Sequence, residues 1–384
     1  MPGPMALDRF VRLLPVVALG LLVLGSPAQA QDSPMSTPMA LDAGFRHTCA
    51  LQADGAALCW GSNRSGEIGD GTDTLRMAPT PVSGGTSWQA VSASQHRTCA
   101  LDDDGAAWCW GLNVYGGVGD GTTEPRTTPT PVSGDREYDA ISAGKSHACA
   151  LDGDEAWCWG NNGMGQLGDG TQDRRLAPVQ VEADADFALI SAGGQHTCTL
   201  DDDGAAWCWG ANTDGMLGNG DDEGLSPEPV EVAGDLEFTT LDAGANHTCA
   251  LTDDGEAFCW GLNQFGALGD GTQEVRTEPT AVVGEHTFTA ITAGLGHSCG
   301  ITEEGAALCW GFNAAAQLGN GTTTNALEPA AVEGGHAFTI LTAGDYHTCG
   351  VTEGGLTVCW GLNPDAPLGA TSAESLTRSP PPAG

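Results

Sequence analysis

The chain has 384 residues and a formal net charge of −37 at pH 7, because 50 acidic residues accompany only 13 lysines and arginines. Residues 1–30 carry a net charge of +1, so their removal leaves −38. A chain of this sign repels phosphate backbones and anionic lipids, which disfavours binding to nucleic acid or to membrane surfaces. We interpret the acidity as an adaptation for solubility or salt tolerance rather than as a means of binding a specific cationic partner.

The first thirty residues have the pattern of a secretory signal. Arg9 and Arg12 form a positive region, followed by the apolar stretch 13–25 and the small-residue cleavage site Ala28-Gln29-Ala30. An uncleaved membrane anchor is the alternative, but the apolar stretch is short for a spanning helix. We therefore predict export to a periplasm, a cell surface or the medium, with no membrane insertion once residues 1–30 are removed.

From about Met39 onward, one stretch occurs seven times with a period of about fifty residues. In the second copy it runs from His96 to Gly111 and reads His-Arg-Thr-Cys-Ala-Leu-Asp-Asp-Asp-Gly-Ala-Ala-Trp-Cys-Trp-Gly. A fixed period of that length is typical of repeat architectures. Each copy predicts a β-hairpin, in which an acidic turn with glycine joins an apolar strand to a second one that ends in Trp-Gly.

All 14 cysteines lie in these hairpins. In the first copy, a three-residue loop at Ala53-Asp54-Gly55 places Cys49 opposite Cys59, at a separation that a disulfide can span. The third copy is one residue shorter, and a two-residue Gly153-Asp154 turn again places its cysteines opposite each other. The register predicts seven disulfides, each within one repeat: Cys49–Cys59, Cys99–Cys109, Cys149–Cys158, Cys198–Cys208, Cys249–Cys259, Cys299–Cys309 and Cys349–Cys359. Such bonds persist in an oxidising compartment, in agreement with export.

Each repeat predicts four short strands, named A to D in chain order, and no segment has helical periodicity. Strand A starts near an aromatic residue such as Phe238, strands B and C form the hairpin, and strand D carries a Pro-Val pair such as Pro131-Val132. Strand C is apolar on both faces, so each sheet is buried on both sides. This pattern predicts an all-β, seven-bladed β-propeller of four-stranded antiparallel blades, whereas a β-sandwich would not need sevenfold repetition. The predicted segments are a signal peptide (1–30), a linker (31–38) and the propeller (39–384).

The repeat resembles that of the regulator-of-chromosome-condensation family. The elements that carry the resemblance are His-Thr-Cys-Ala-Leu, Asp-Gly, Cys-Trp-Gly-x-Asn and Gly-x-Leu-Gly-Asp-Gly-Thr. The resemblance implies a seven-bladed propeller, and it marks the fold rather than the activity of the best-known member, an exchange factor for a small GTPase. Secreted bacterial relatives that inhibit β-lactamases work by binding a protein. This chain departs from the family pattern in its cysteine pairs, in Ala316 and in the seventh copy, which loses the Gly-Asp-Gly turn.

Two repeated polar features admit either a ligand or a structural role. Six copies have a histidine two residues before the first cysteine, where the second copy has Arg97 preceded by His96. A ring of imidazoles can bind a metal or an anion, but an element found in nearly every copy more often belongs to the scaffold, with each ring bonded to a backbone group. The histidines are His47, His147, His196, His247, His297 and His347.

The Gly-Asp-Gly-Thr segments, such as Gly69–Thr72, suggest calcium, yet a calcium ion needs six to eight converging oxygens, and Asp-Gly is also an ordinary turn dipeptide. A zinc site at His47 and the first cysteine pair lacks a fourth ligand. We therefore expect no metal and no cofactor.

No catalytic constellation is apparent, because no serine lies in a nucleophile elbow, no cysteine is free and the acidic pairs lie in solvated turns. We therefore expect no enzyme. Two alternatives remain: an enzyme with carboxylates in the central channel, and a cell-surface structural protein held by divalent ions.

In a propeller of such blades, the A–B and C–D connections lie on one face, and the B–C and D–A connections lie on the other. The B–C turns are nearly all acidic, as at Asp102–Asp104 and Asp201–Asp203, whereas the A–B and C–D connections differ in every copy. Their aromatic and cationic side chains are of the kind enriched in protein interfaces. We predict a monomeric module that binds a protein or a surface polymer through this face. The candidate contacts are Phe45, Arg46, Arg64, Tyr115, Lys145, Phe265 and Tyr346, whose cations would attract an acidic partner.

The ends of the propeller raise the question of closure. If residues 376–382 form strand D of the seventh repeat, units and blades coincide, and the first and seventh blades meet only through side chains. Their junction should then exchange amide hydrogens fastest. A strand from residues 33–38 that pairs with the seventh blade is the alternative.

Overall fold

The computed structural model describes residues 37–183, 185–222 and 224–365, which form an all-β propeller. Six antiparallel sheets of four strands and one of three follow one another along this part of the chain. The strand order within each sheet is the chain order, so blades 1 to 6 are meanders of strands A to D, and the described part of blade 7 is a meander of strands A to C. In the described residues, the short 3₁₀ turn Thr213–Gly215 is the only helical element.

The strands have the following bounds. Blade 1 contains β1 (Pro38–Ala43), β2 (His47–Gln52), β3 (Ala57–Gly61) and β4 (Arg76–Pro81), and blade 2 contains β5 (Trp88–Ala93), β6 (Arg97–Asp102), β7 (Ala107–Gly111) and β8 (Arg126–Pro131). Blade 3 contains β9 (Ala140–Ala143), β10 (His147–Asp152), β11 (Glu155–Gly160) and β12 (Arg175–Gln180), and blade 4 contains β13 (Phe187–Ala192), β14 (His196–Asp201), β15 (Ala206–Ala211) and β16 (Leu225–Glu231). Blade 5 contains β17 (Phe238–Ala243), β18 (His247–Thr252), β19 (Ala257–Gly261) and β20 (Arg276–Ala281), and blade 6 contains β21 (Phe288–Ala293), β22 (His297–Thr302), β23 (Ala307–Gly311) and β24 (Ala326–Ala331). Blade 7 contains β25 (Phe338–Ala343), β26 (His347–Thr352) and β27 (Thr357–Gly361).

Some sequence predictions fall outside the described residues. They are the signal peptide at 1–30, the linker up to residue 36 and strand D of blade 7 at 376–382. Strand β1 begins at Pro38, which the sequence pattern assigns to the linker. Within the ranges that are described, no helix has the length and apolar character needed to cross a membrane.

The hairpins close as their turn residues require. In blade 1, Gln52 N donates to Ala56 O at 2.8 Å, and Gly55 takes a positive φ of 80°, as the last residue of a three-residue loop should. In blade 3, Gly153 has a φ of 62° and Asp154 a negative φ, the combination of a type II′ turn. Both turns keep the cysteines opposite each other. All seven predicted disulfides form, with Cα atoms 4.1 Å apart, and none of the 14 cysteines is free.

The apolar core lies between neighbouring blades. Leu51 and Ala57 of blade 1 pack against Trp88, Ala100 and Trp110 of blade 2, and similar clusters follow around the ring. The tryptophan that follows the second cysteine of each blade is at most 1% exposed in all seven copies. Because truncating a buried aromatic ring to alanine typically costs about 3–5 kcal/mol, these rings make each blade depend on its neighbour.

A set of three hydrogen bonds, which we name the junction clasp, joins blade 1 to blade 2, and the same set recurs at each junction from blade 3 to blade 7. At the first junction, Thr98 Oγ1 of blade 2 donates to Glu67 O of blade 1 at 2.8 Å, and Trp110 Nε1 donates to the same carbonyl at 2.9 Å. Because the hydroxyl has only one proton to donate, His47 Nε2 must be the donor in its 3.0 Å contact with Thr98 Oγ1. The neutral imidazole with its proton on Nε2 is therefore part of the scaffold.

The histidine bond of the clasp recurs at five further junctions, with a hydroxyl of the next blade at 2.8–3.0 Å. The partner is therefore a side-chain hydroxyl rather than the backbone group that the sequence suggested. Across the described residues, no group of three or more histidine, cysteine or acidic side chains is arranged to hold a metal ion. The geometry therefore supports a structural role for the six histidines.

The junction between blades 2 and 3 has a different clasp, in which three residues change together. Arg97 stands where the other blades have histidine, and Ala148 stands where they have a hydroxyl residue. The Arg97 guanidinium instead donates through one terminal nitrogen to Gly144 O, at 2.9 Å, and to His147 O. Gly117 leaves room for it, because a Cβ atom there would lie 1.9 Å from Arg97 Nη1.

Side chains close the ring between blades 7 and 1. His347 Nε2 contacts Thr48 Oγ1 at 3.0 Å, Ala43 N donates to Thr342 Oγ1 at 3.1 Å, and Leu41, Ala50 and Trp60 pack against blade 7. Among the described strands, none from one end of the chain joins the sheet at the other end. The closure therefore repeats the histidine bond, the channel bond and the apolar packing of the other junctions.

Arg97 and Ala148 both depart from the repeat at the junction between blades 2 and 3. We therefore predict that substitutions at these two positions are strongly coupled in their effect on stability. R97H alone places an imidazole beside a methyl group, so it should lower the free energy of unfolding by about 1–3 kcal/mol through the lost guanidinium bonds and an unpaired ring nitrogen. R97H/A148T supplies the hydroxyl and should recover most of that loss. Denaturant unfolding of the two single variants and the double variant measures the coupling. Simple additivity of the two substitutions would contradict the clasp.

Acid should destabilise the propeller through its buried histidines. Burial lowers the pKa of His47 and His247 to about 4, and that of His147, His196, His297 and His347 to about 3. Below about pH 6.5 the unfolded chain binds protons that the folded chain does not, so the free energy of unfolding should fall by roughly 1.4 kcal/mol per pH unit for each histidine.

Asp42, Asp242 and Asp345 line the channel, and burial raises their pKa values, so they act in the opposite direction but are outnumbered by the six histidines. We expect the denaturant midpoint to fall steeply between pH 6.5 and pH 4, in the window set by the ordinary and the lowered histidine pKa values. A midpoint that stays constant down to pH 4.5 would show that the histidines are not buried in neutral form.

Candidate partner-binding face

The A–B and C–D connections meet on one face, which we name the variable face. It comprises the two residues before strand B's histidine or Arg97 in every blade. In blades 1 to 6 it also comprises the residues between strand C and the Gly-Asp-Gly or Gly-Asn-Gly segment, and in blade 7 residues 362–365. Tyr115 of a C–D connection and Lys145 of an A–B connection line the same hollow there. On the opposite, acidic face, the D–A and B–C connections meet, as where Trp88 N donates to Gly55 O at 2.9 Å. The division into two faces is thus the predicted one.

In blades 1 to 6, a buried asparagine holds the C–D connection in place. In blade 1, Asn63 Nδ2 donates to Asp70 Oδ1 at 3.2 Å and to Thr74 O at 3.1 Å, while its Oδ1 accepts a bond from Ile68 N at 2.9 Å. Asp70 also accepts from Thr72 and forms an ion pair with Arg76. Burial would raise the pKa of Asp70, but the bonds from Thr72 and Arg76 outweigh it and lower that pKa. The Asp70 carboxylate bonds groups of its own loop, so the Gly69–Thr72 segment acts as a turn element.

The aspartate of this loop and its arginine occur together. Four loops have aspartate followed six residues later by arginine, whereas the loops with Asn219 and Asn320 have Leu225 and Ala326 at that place. The pairs are Asp70–Arg76, Asp120–Arg126, Asp169–Arg175 and Asp270–Arg276. Four cations are thereby neutralised within the scaffold and contribute little to the net charge of the variable face.

Five side-chain rings form a continuous row across the variable face, from blade 5 to blade 2. The consecutive centroid distances along this aromatic row are 4.8, 6.4, 5.9 and 5.3 Å, through Phe265, Phe312, Tyr346, Phe45 and His96. All five are half-buried, so one side of each ring packs on the scaffold and the other reaches solvent. Three of the predicted contact residues therefore lie together.

Phe312 and His96 are additions that the sequence does not single out. A signal for Phe312 exists, since the residue after Trp-Gly in the other blades is never aromatic. Those residues are Ser62, Leu112, Asn161, Ala211, Leu262 and Leu362.

Two hollows of similar size open on the variable face. The apolar hollow, about 280 Å³, lies among blades 5, 6 and 7 and is bordered by the aromatic row. The polar hollow, about 300 Å³, lies among blades 2, 3 and 4. They occupy equivalent positions of the repeat three blades apart, where Leu295, Gly296, Phe312 and Tyr346 correspond to Lys145, Ser146, Asn161 and Gln195.

The cations predicted to attract a partner have unequal surroundings. Arg46 and Arg64 both reach Asp365, at 2.7 and 3.4 Å, and the Arg46 guanidinium carbon lies 4.8 Å from the centroid of the Phe45 ring. Asp365 therefore neutralises part of their charge. Lys145 is exposed at the rim of the polar hollow, beside Tyr115, which is 50% exposed.

The acidic face is built into its hairpins. Asp102 accepts bonds from Asp104 N at 3.1 Å, Ala106 N at 2.9 Å and Trp108 Nε1 at 2.9 Å. The first acid of such a turn therefore stabilises the turn itself, while Asp103 and its neighbours are exposed. Nothing in this arrangement favours the alternative of a divalent-ion site.

A ring of hydrogen bonds surrounds the central channel. One polar side chain of each strand A lines it: Asp42, Ser92, Ser142, Ser191, Asp242, Thr292 and Thr342. The oxygen of each accepts a bond from the backbone N–H of an alanine in the next blade, at 2.7–3.1 Å, including the step from blade 7 to blade 1. This channel ring is a second device that holds the blades together.

Two carboxylates of the channel ring bear on the enzyme alternative. Burial raises the pKa of Asp42 to about 6, and it also raises the pKa of Asp242. The oxygens of Asp42 accept bonds from Ala43 N, Ala93 N and Thr342, and those of Asp242 accept bonds from Ala293 N and two hydroxyls. A general base needs an oxygen that faces a substrate, so these contacts favour a structural role.

Comparisons with known protein families decide the classification. The model of the "Regulator of chromosome condensation (RCC1) repeat" matches six consecutive segments, at residues 54–101, 104–151, 154–200, 203–251, 254–301 and 304–351. The chain belongs to this family. A second model of the RCC1 repeat matches residues 40–67, 88–116, 138–166, 187–215, 238–267 and 288–317. A search of curated proteins finds no match.

Several solved structures are similar in fold to this propeller. Human WBSCR16 has a TM-score of 0.73 and 21% identity, over 82% of this chain and 86% of that one. Yeast RCC1 (Prp20), solved with Kap60, has a TM-score of 0.72 and 23% identity, over 79% and 78%. The ectodomain of the Arabidopsis thaliana receptor kinase ACR4 has a TM-score of 0.56 and 23% identity, over 85% and 96%. At these identities the likeness concerns the fold.

The channel ring of this RCC1-repeat propeller yields a prediction about pH. Serine, which blades 2 to 4 carry at the equivalent position, would keep an acceptor for Ala93 N and remove the carboxylate of Asp42. Because the folded pKa of about 6 exceeds the ordinary 3.8, ionising Asp42 lowers stability as the pH rises through about 6. D42S should therefore raise the free energy of unfolding by about 1–3 kcal/mol at pH 7.5 and by much less at pH 4.

Denaturant unfolding at the two pH values checks this. D103N, which alters an exposed carboxylate, is the control and should change stability by less than about 0.5 kcal/mol. A gain for D42S that is the same at both pH values would contradict the titration of the buried carboxylate.

Proposed function

We propose that this RCC1-repeat protein is an exported, monomeric, non-catalytic module that binds a protein partner through its variable face. The observation that carries the proposal is the aromatic row beside the apolar hollow, a continuous band of half-exposed rings on one face of a rigid ring. Aromatic side chains with one buried and one open side are the usual anchors of protein interfaces.

The rings of the row are not needed by the fold. The position of Phe265 is occupied in other blades by Ser65, Tyr115, Met164, Asp214, Ala315 and Asp365. Because the same backbone accepts all of these side chains, packing within the blade does not demand an aromatic residue there. Variation on one face of a repeated scaffold is expected of a binding surface.

The size of the apolar hollow indicates what it can take. About 280 Å³ is near the lower end of the range for small-molecule sites, and it opens onto a wide face. Such a hollow suits one apolar side chain of a partner whose remaining surface lies along the aromatic row. An anchor that enters the hollow while the row excludes water has the organisation of an interface hot spot.

Seven disulfides indicate an oxidising compartment, which supports export. Among fold neighbours, yeast RCC1 (Prp20) was solved bound to Kap60, and the structure of Prp20p was described with its binding to Gsp1p and histones. A propeller of this architecture can therefore serve as a platform for proteins. Lys145 and the exposed parts of Arg46 and Arg64 would orient an acidic partner during encounter.

Affinity capture with protein lacking residues 1–30, followed by mass spectrometry, would identify the partner, whose Kd is then measured against variants. F265S, F312L and Y346N replace each ring with a residue found at the same position of another blade, so the fold should be kept. The triple variant should raise Kd by about 100-fold or more, with a thermal midpoint within a few degrees of the parent.

The matched control is D103N/D104N/D202N/D203N on the acidic face, which should leave Kd nearly unchanged at moderate salt. The assignment of faces is wrong if this control loses the partner while the aromatic variant keeps it. Retention on cell envelopes that have been treated with protease would point to a surface polymer and overturn the proposal of a protein partner.

A further inference from the structure

Arg97 is a buried cation without a counter-ion. It is 3% exposed and lines the polar hollow. One terminal nitrogen donates to two carbonyls of blade 3, whereas Nε is buried without a hydrogen-bond partner. No carboxylate of the described residues forms an ion pair with it. Burial lowers the pKa of Arg97 to about 10, so the group is charged at neutral pH.

Two acidic side chains from blades 1 and 7, Glu67 and Asp345, have partners other than Arg97. Glu67 lies 3.4 Å from His96 Nδ1 and accepts a bond from Ser65 N at 2.8 Å. Asp345 lies at the mouth of the channel, where it is bonded to Gln95 and influenced by Lys145. A buried charge with an unused donor is unfavourable unless a partner supplies the missing acceptor. Because Arg97 lines the polar hollow, an acceptor bound in the hollow would lie beside its guanidinium group.

The rim of the polar hollow offers further donors. Lys145, Ser146, Asn161 and Gln195 surround it, with Asn161 Nδ2 placed 3.3 Å from Ser146 Oγ. At the equivalent place three blades on, the apolar hollow presents the side chains of Leu295, Phe312 and Tyr346 around the neutral His247. The two hollows thus share one backbone geometry. The apolar hollow presents hydrocarbon side chains, whereas the polar hollow presents hydrogen-bond donors around a cation.

We propose that the polar hollow binds a carboxylate group, with Arg97 as its principal ligand and Lys145 at its rim. A planar carboxylate matches the guanidinium fork, and its single charge suits one buried cation better than a phosphate dianion does in so acidic a chain. A hollow of about 300 Å³ admits an aspartate or glutamate side chain, or a small free organic acid. If the variable face binds a protein as proposed above, this group comes from the partner. The site itself does not depend on that proposal.

Direct titration tests the site without any partner. The mature protein, labelled with ¹⁵N, is titrated with sodium acetate at constant ionic strength while the arginine Nε–Hε resonances are observed. The Arg97 resonance should shift and saturate, with a Kd of about 1–10 mM, while that of Arg136 on the acidic face should not follow it. N-acetylglutamic acid amide as a second probe mimics a protein side chain. Comparable binding of both probes assigns the site to a protein carboxylate, whereas binding of acetate alone assigns it to a small free acid.

Variants separate binding from stability. R97H/A148T restores the clasp of the other junctions and removes the cation, so acetate should no longer raise the thermal midpoint, although the protein stays folded. K145L, which takes the residue of blade 6, should weaken acetate binding by about fivefold, and R64S on the same face should have no effect. If R97H/A148T does not fold, the Arg97 resonance in K145L and in the parent still decides the question.

Three results would overturn the proposal. One is the absence of a saturable Arg97 shift up to about 100 mM acetate, since a weaker interaction has no specificity. Another is an acetate response that is unchanged in R97H/A148T. The third is saturation by inorganic phosphate under conditions in which acetate has no effect, which would replace the carboxylate with a different anion class.

Discussion

A single hydroxyl on strand B decides how two blades meet. Thr98 donates its proton to the carbonyl of Glu67 in the preceding blade and accepts the Nε2 proton of His47, while Trp110 shares the same carbonyl. These bonds lie in the apolar core between sheets, where an unpaired polar group would be costly. The imidazole must therefore be neutral and in one tautomer, and the spacing between neighbouring blades follows from three short bonds. The tryptophan that donates to this carbonyl also fills the space between the sheets.

The scaffold divides its tasks among separate devices. Disulfides fasten strand B to strand C within each blade, the junction clasp joins blades in their interior, and the channel ring joins them along the axis. The last two continue from blade 7 to blade 1 through Thr48 and Thr342. Because these requirements are met by the repeated positions, the residues of the A–B and C–D connections are free to differ. Stability and recognition thus depend on different residues of the same repeat.

On the variable face, two hollows at equivalent positions of the repeat have different side chains and opposite chemistry. One combines Phe265 and Phe312 with a neutral histidine, and the other combines Tyr115 and Lys145 with a buried arginine. A ligand that occupied both hollows would need an apolar group and an acidic group at a separation fixed by the ring of blades. The two channel aspartates show a further departure, since serine or threonine serves the same position in the other five blades.

Much of the fold can be read from short-range patterns in the sequence. The hairpin register and the cysteine pairing depend on residues about ten apart, where turn geometry leaves few choices. The repeat period of about fifty residues and the division of loops between two faces follow from comparing the copies along the chain. The pairing of Asp70 with Arg76 is likewise visible as a six-residue spacing that disappears where asparagine replaces aspartate.

Contacts between blades were decided only by the tertiary structure, because they join residues from about thirty to about three hundred positions apart. Arg97, Ala148 and Gly117 are three separate irregularities of the sequence until the ring places them at one junction. The partial neutralisation of Arg46 by Asp365 depends on the closure of blade 7 against blade 1. The aromatic row is assembled from five blades and could not follow from any one repeat, since the distance between rings is set by the angle between neighbouring blades.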